Sequence, residues 1–334
     1  MSLDLPLIWG GIIAFGVFMY VLLDGFDLGI GILFPLAPGE AERDAMMNSV
    51  APIWDGNETW LVLGGAGLFA AFPLAYAVIL PALYLPLTVM LIALIFRGVA
   101  FEFRFKANSS KRLWNLSFHL GSLVATFAQG VVLGAYVQGF AVVDRAYAGG
   151  PWDWFSPFAV MVGVAMLFGY ALLGVGWLIM KTEGALQDWA YGKAIWLLGG
   201  VVIFMGIVSL WVPFLDTKIE HRWFSLPNLF YLSPVPILVG LATLALLRAV
   251  VRRQERAPFF LTVALFALGY LGLGISLWPN VVPPSISLWQ AASPPASQGF
   301  LLVGVAILLP IILGYTIHTY WVFRGKVRAD AGYH

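Results

Sequence analysis

Cysteine is absent from the chain, which excludes disulfides, thiolate metal sites and covalent haem attachment through a Cys-x-x-Cys-His motif. Charge is nearly as scarce. Asp, Glu, Lys and Arg make up 10% of the residues, against about 25% in a soluble domain. The formal net charge is +1, and nothing supports nucleic-acid binding. There is no Walker loop, no Gly-x-Gly-x-x-Gly after a strand, no metal-spaced His/Asp cluster and no nucleophile elbow, so soluble-type nucleotide or hydrolytic chemistry is excluded. The N-terminal stretch Met1 to Pro6 carries Asp4 but no Lys or Arg. It therefore lacks the cationic start of a signal peptide, and the first helix is expected to be retained.

What is present is apolar: 61% of residues are hydrophobic and the mean hydropathy is +0.89. The composition predicts an all-α, polytopic integral membrane protein with residues 1–334 forming a single membrane-embedded domain. Apolar runs predict nine transmembrane helices, at about 5–34, 50–72, 74–105, 113–140, 155–180, 189–214, 229–248, 257–278 and 299–323. Pro35, Pro38 and Gly39 end the first, and the acidic connector Glu40 to Met47 leads to Asn48 or Ser49 as a cap, with Pro52 in the first turn of the second. Leu61 to Ile95 contains no charge, and its 35 residues would make one helix about 52 Å long, too long for a hydrocarbon core of about 30 Å. Two helices with a hairpin at Phe72-Pro73 resolve this, the later one kinked at Pro81 and Pro86. Glycines such as Gly64, Gly67, Gly130 and Gly134 suit close helix packing in lipid, although ordinary membrane composition accounts equally well for any one of them.

Nine spans put the termini on opposite sides, and basic residues choose between them. Arg43, Arg104, Lys106, Lys111, Arg112, Lys181, Lys193, Arg248, Arg252, Arg253, Arg256, Arg324, Lys326 and Arg328 fall on one side, and only Arg145, Lys218 and Arg222 on the other. The N-terminus is therefore predicted outside and the C-terminus cytoplasmic.

Charge inside this apolar frame demands a reason. Asp24 and Asp27 lie near the inner end of the first helix, and Asp55 and Glu58 open the second with Asn57 beside them and Trp54 and Trp60 as bulky neighbours. Arg97 in the third occupies the same layer, so five ionisable groups from three helices are expected to converge where a lone charge costs at least ~2.5 kcal/mol. Two readings compete. In one, Arg97 is a counter-charge that merely pins the helices. In the other, the surplus carboxylates, protonated or hydrated because one Arg cannot neutralise four acids, form a proton path from the cytoplasm. The second is favoured, with Asp55 as the leading relay residue and Glu58, Asp24 and Asp27 as secondary ones.

These residues also carry a family resemblance. Asp24-Gly25-Phe26-Asp27-Leu28-Gly29, then Asn48-Ser49-Val50-Ala51-Pro52-Ile53-Trp54-Asp55-Gly56-Asn57-Glu58-Thr59-Trp60, resemble subunit II of the cytochrome bd-type quinol oxidases. The similarity continues through Phe96-Arg97-Gly98-Val99-Ala100-Phe101-Glu102-Phe103-Arg104, Pro279 to Trp289 and Pro310 to Trp321, while about 140–260 matches only in hydropathy. The moderate length and divergent middle look closer to the cyanide-insensitive branch. The resemblance implies a heterodimer in the bacterial cytoplasmic (inner) membrane that oxidises quinol and reduces dioxygen to water. It implies that this chain binds no haem, supports a haem-bearing subunit I that carries the b- and d-type haems, and contributes a cytoplasmic proton-uptake path through Asp55. It leaves room for a structural quinone and for a small single-helix accessory subunit.

Other features carry less. His221 and His334 fall in a loop and the tail, whereas His119 and His318 are membrane-embedded; a bis-histidine haem pair is weighed against ordinary hydrogen-bonded packing, which is preferred. Pro279 to Gln298 reads as a quinone-proximal lid or, preferably, a rigid cap contacting the partner subunit. Trp152, Trp154, Trp211 and Trp223 suit the outer interface and Trp189 and Trp321 the inner one, while Lys181, Glu183 and Asp188 read as solvated loop charges. The alternative function, a proton-coupled secondary transporter, predicts inverted repeats, of which the sequence gives no sign.

Overall fold

The structure, a computed structural model, describes residues 3–107 and 109–327; Arg328 and His334 lie outside the described residues. Its backbone is helical almost throughout, because in hydrocarbon each segment must satisfy its own N–H and C=O groups. The first half contains α1 (Leu5–Leu33), α2 (Glu40–Asn48), α3 (Trp54–Ala71), α4 (Pro73–Arg104), α5 (Lys111–Gln138), α6 (Pro157–Lys181) and α7 (Gly184–Trp211). The second contains α8 (Thr217–Phe224), α9 (Asn228–Leu232), α10 (Pro234–Val251), α11 (Ala257–Leu277), α12 (Leu288–Ala291) and α13 (Pro295–Val322). Two small antiparallel hairpins interrupt them, β1 (Val142–Val143) with β2 (Ala146–Tyr147) and β3 (Asn280–Val282) with β4 (Ile286–Ser287).

Among the described residues, 8 helical segments are long and apolar enough to cross a membrane. The one predicted span that falls short is α3, whose 18 residues reach about 27 Å and whose first turns carry Asp55, Asn57 and Glu58. The Phe72-Pro73 hairpin is where the sequence puts it, with Phe72 alone separating α3 from α4. Three local expectations are corrected. The connector after α1 is itself a helix, α2, favoured by Glu40 and Glu42 in its first turn. Neither Asn48 nor Ser49 caps α3, which starts at Trp54 without a side-chain cap; Ser49 instead closes α2, its Oγ donating to the Met46 carbonyl at 2.7 Å. Lys181 is buried rather than solvated: its Nζ donates to the Phe323 carbonyl and lies 5.3 Å from the Trp177 ring, so the chain end folds back over the end of α6.

The bundle is organised about α1, which packs mainly on α3, α5 and α6. The α1–α6 approach is closest at Gly29, where a Cβ would stand 1.8 Å from the Tyr170 carbonyl oxygen. At that end Phe26 stacks on Trp177 with centroids 4.2 Å apart, and Phe259 of α11 closes the aromatic group edge-on. At the opposite end a second core gathers Trp9, Phe72, Phe140 and Val282. The segment from Pro279 to Gln298 covers it as the β3–β4 hairpin and α12, tied down by Trp9 Nε1 donating to the Gln298 carbonyl at 3.1 Å and Ser293 N donating to the Ala71 carbonyl at 2.9 Å. The cap of the sequence reading is thus fastened to α1 and α3 of its own chain.

Candidate functional site

The site lies where α1, α3 and α4 meet. Arg97, in the final third of α4, is fully buried, as are Asp24 and Asp27 on α1. Its Nη1 stands 2.8 Å from Asp24 Oδ1 and 3.8 Å from Glu58 Oε2, and its Nη2 is 3.9 Å from Asp27 Oδ2. The guanidinium also lies 6.0 Å from the Trp54 ring centroid and 5.7 Å from that of Phe101, two rings stacked 4.8 Å apart. Gly98 leaves room for that pair, since a Cβ there would touch the Trp54 ring at 3.3 Å. One planar cation therefore bridges three carboxylates, a task that suits the five-donor fork of arginine.

Asn57 links the site to the last helix. Its Nδ2 donates to Asp27 Oδ2 at 2.7 Å and to the Leu23 carbonyl at 3.3 Å, and Tyr320 of α13 donates to its Oδ1 at 2.8 Å. Behind α1, Gln129 of α5 donates to the Tyr20 hydroxyl at 2.7 Å and accepts from the Tyr170 hydroxyl at 2.8 Å.

Of the sequence-derived site residues, Asp24, Asp27, Glu58 and Arg97 come together, and Trp54 and Asn57 support them. Asp55 stands apart from the ion pairs. It is exposed in the first turn of α3, and among the described residues its carboxylate makes no salt bridge. Three residues along a helix turn it through about 300°, leaving Asp55 and Glu58 roughly 60° apart; the longer Glu58 reaches inward while Asp55 faces off the subunit.

A second charged group seals the end of α4 nearest the site. Arg104, also fully buried, holds Glu40 at 2.9 Å and Asp44 at 2.7 Å on α2 and donates to Asn115 Oδ1 on α5 at 2.5 Å. Lys111 adds contacts to Glu40 at 3.1 Å and Asp44 at 3.4 Å. Partial burial by itself would raise the Glu40 carboxyl, but hydrogen bonds from Arg43 and Lys111 and the neighbouring Lys111 and Arg104 charges hold it down at about 2. The sequence reading missed this network, along with Gln129 and Tyr320; polar side chains at Asn115, His119, Ser122, Thr126 and Gln129, recurring every three or four residues along an apolar helix, were the available signal.

The membrane histidines do not form a facing pair. His119 donates from Nδ1 to the Gly31 carbonyl at 3.0 Å, while His318 is exposed on α13, 6.1 Å from the Trp321 ring. Among the described residues no group of three or more His, Asp or Glu side chains is arranged to hold a metal ion. The residues present thus do not fit a haem held by two histidines of this chain.

Comparison with known proteins agrees with this architecture. The family model for cytochrome bd terminal oxidase subunit II matches residues 5–323. The cytochrome bd ubiquinol oxidase subunit 2 of Bacillus subtilis (strain 168) is 30% identical over 321 residues, covering 92% of each chain. The cytochrome bd-I ubiquinol oxidase subunit 2 of Escherichia coli (strain K12) is 28% identical over 363 residues, covering 98% of this chain and 96% of that protein. Among solved structures, a chain of the bd oxidase from Geobacillus thermodenitrificans shares the fold with a TM-score of 0.72 at 16% identity, covering 96% of this chain and 99% of that one. With its long apolar helices and a match running from the start of α1 to the end of α13, this multi-pass membrane chain belongs to the cytochrome bd terminal oxidase subunit II family.

Proposed function

We propose that the chain is the haem-free subunit of a bd-type quinol:dioxygen oxidoreductase and gives that complex a cytoplasmic proton-uptake path. Counting α3 as a span and taking α9 with α10 gives nine crossings. The distribution of basic residues then supports an N-terminus outside and a C-terminus in the cytoplasm. Asp55, Glu58, Asp24, Asp27 and the Arg104 network all fall toward the cytoplasmic side. The b- and d-type haems of a partner subunit supply the electron transfer and oxygen reduction, with quinol as the reductant.

The observation that carries this reading is the charge imbalance around Arg97. One buried guanidinium faces Asp24, Asp27 and Glu58 within 3.9 Å. Fully ionised, the group would hold two uncompensated negative charges, and burying unpaired charge costs several kcal/mol per ion. The site relieves this by binding a proton or by admitting water at Glu58, whose side chain is 27% exposed. Either response makes it exchange protons. Asp55, exposed one turn before Glu58 on a helix bound for lipid or a partner, supplies the outer step. An exposed carboxylate at membrane depth is costly against hydrocarbon, so the α3 face is assigned to the partner subunit.

Purification tests the assembly: the chain should co-isolate with a haem-bearing subunit, and a stable, haem-free, single-chain preparation as the only product would overturn it. Asp55→Asn tests the path. Oxygen consumption or its coupled proton uptake should fall at least about tenfold, the scale of removing a positioned proton-transfer group, with haem content intact. Unchanged turnover and uptake would remove Asp55 from the path.

A further inference from the structure

Only three Lys or Arg residues fall in the segments at the end of the bundle away from Arg97, and two of them, Lys218 and Arg222, sit together on α8. The third, Arg145, lies in the β1–β2 turn. α8 follows shortly after α7 and is fastened to the end of α11. Ile219 is buried, Trp223 Nε1 donates to Ser276 Oγ at 2.9 Å, and Arg222 Nη1 donates to the Ile275 carbonyl at 2.6 Å and to the Trp278 carbonyl. At about 100° per residue, these anchors leave Thr217, Lys218 and His221 on the outward side, and all three are exposed. With Arg222 and Asn228 they line an open groove of about 480 Å³.

The cations of this groove have no counter-ion. Among the described residues neither Lys218 nor Arg222 makes a salt bridge. Arg222 spends only Nη1 on backbone carbonyls; its Nε and Nη2 donate to no protein group among the described residues. That edge offers the two parallel N–H bonds that a phosphate accepts. Two acids on α8 stay out of the groove. Asp216 caps the helix, accepting from Lys218 N at 2.8 Å, and Glu220 stands about 160° around the helix from both cations. Beside the groove Phe214, Phe224, Leu226, Phe230 and Tyr231 are each at least 60% exposed. Cations and bare aromatics combined on one short segment between two spans suit the boundary of headgroups and acyl chains.

We propose that the α8 groove binds an anionic phospholipid, its headgroup phosphate held between Lys218 and Arg222 and its acyl chains running past the exposed aromatics. Lys218 and Arg222 are four residues apart, which sets their Cβ atoms about 5–6 Å from each other, a gap that two long side chains close on one phosphate. Thr217 and His221 add donors from the same face. A net negative lipid is favoured over a zwitterionic one because no carboxylate lines this groove to receive a choline or ethanolamine ammonium. In the orientation proposed above the site faces the outer leaflet. It stands apart from the proton-uptake reading and shares no residue with it.

The experiment uses the complex purified with its partner subunit and reconstituted into phosphatidylcholine nanodiscs doped with phosphatidylglycerol that carries a photoreactive headgroup label. Mass spectrometry then identifies the crosslinked peptides. Residues 214–231 should be labelled, and unlabelled phosphatidylglycerol should compete where extra phosphatidylcholine does not. Lys218→Gln should lower the labelling about fivefold, the scale for one cation at a lipid surface, and Lys218→Glu should lower it further. Because Lys218 is exposed and makes no side-chain bond among the described residues, both variants should assemble with haem content unchanged. Arg145→Asn, at the remaining cation of this end, should leave the labelling of α8 as it was. No labelling of 214–231 in the intact complex would mean that a protein partner covers the face, and it overturns the proposal. So does equal labelling by a phosphatidylcholine probe, or equal loss in Arg145→Asn. Displacement by inorganic phosphate would assign the groove to a free anion, and unaltered labelling in Lys218→Glu would leave it no role in binding charge; either result overturns the lipid assignment.

Discussion

Replacing Arg97 separates the two things a buried cation does, neutralising and shaping. Arg97→Ala leaves Asp24 and Asp27, both fully buried, without their counter-charge. Removing one partner of a buried ion pair costs about 3–5 kcal/mol, a large share of the 5–15 kcal/mol by which a typical folded protein is stable. Arg97→Lys keeps the charge. Its single ammonium can replace the 2.8 Å contact to Asp24 but cannot also span toward Asp27 and Glu58 as the two guanidinium nitrogens do. Losing those longer contacts and the position against Trp54 and Phe101 should cost about 1–2 kcal/mol. The assay is the yield of assembled complex in membranes together with its thermal midpoint in detergent. The expected order is unsubstituted, Lys, then Ala. Adding Asp24→Asn to Arg97→Ala removes one of the stranded charges and should recover at least about 1 kcal/mol, a coupling that a double-mutant cycle measures. Equal loss in the Lys and Ala variants, or no recovery in the double variant, would refute the account of Arg97 as the counter-charge of the buried acids.

Gly29→Ala should prevent close docking of α6 on α1, because its Cβ would stand 1.8 Å from the Tyr170 carbonyl oxygen; a loss beyond about 3 kcal/mol is expected, read as failed assembly. Gly206→Ala on α7, where nothing lies within 4 Å, is the control and should be neutral to slightly stabilising by up to about 1 kcal/mol. Asn57→Ala should deprive Asp27 of its amide hydrogen bond and the Tyr320 hydroxyl of its acceptor and loosen α13, seen as faster hydrogen exchange in its last turns; unchanged exchange would show that the link holds nothing. The Glu40 carboxyl is depressed from 4.5 to about 2, so the stabilisation it gives α2 is present above 4.5 and is lost as the pH falls toward 2. Proteolytic protection of α2 should decline across that window and already be weak at neutral pH in Arg104→Met; flat protection in both would refute the network's role.

The membrane spans were legible because hydrocarbon imposes length and composition directly. The Phe72-Pro73 hairpin followed from a run too long for one crossing. The meeting of Asp24, Asp27, Glu58 and Arg97 was legible because charges are so rare here that their depth almost dictates their pairing. The separation of Asp55 from Arg97 was not, since it depends on 60° of helix rotation and on one methylene of side-chain length. The start of α3 was misplaced because Ser49 bonds backward to Met46 rather than forward. The burial of Lys181 depends on the Phe323 carbonyl, a partner more than a hundred residues away that no local pattern announces. Gln129 and Tyr320 belong to the same class, polar side chains whose partners lie on helices distant in sequence.

The link between Tyr320 and Asn57 spans 263 positions, and this has a consequence for biogenesis. Asp24 leaves the ribosome roughly seventy residues before Arg97, a delay of about 4–15 s at ordinary rates of synthesis. During it the first helices carry their acids without a counter-ion, and they must either stay protonated or wait at the insertion machinery. Arg97 then ends that exposed interval, but Asn57 is satisfied only when the final helix arrives. A chain truncated before α13 would leave Asn57 Oδ1 without its donor at membrane depth. Arrival of α13 thereby completes this buried network, and quality-control proteases could recognise its absence.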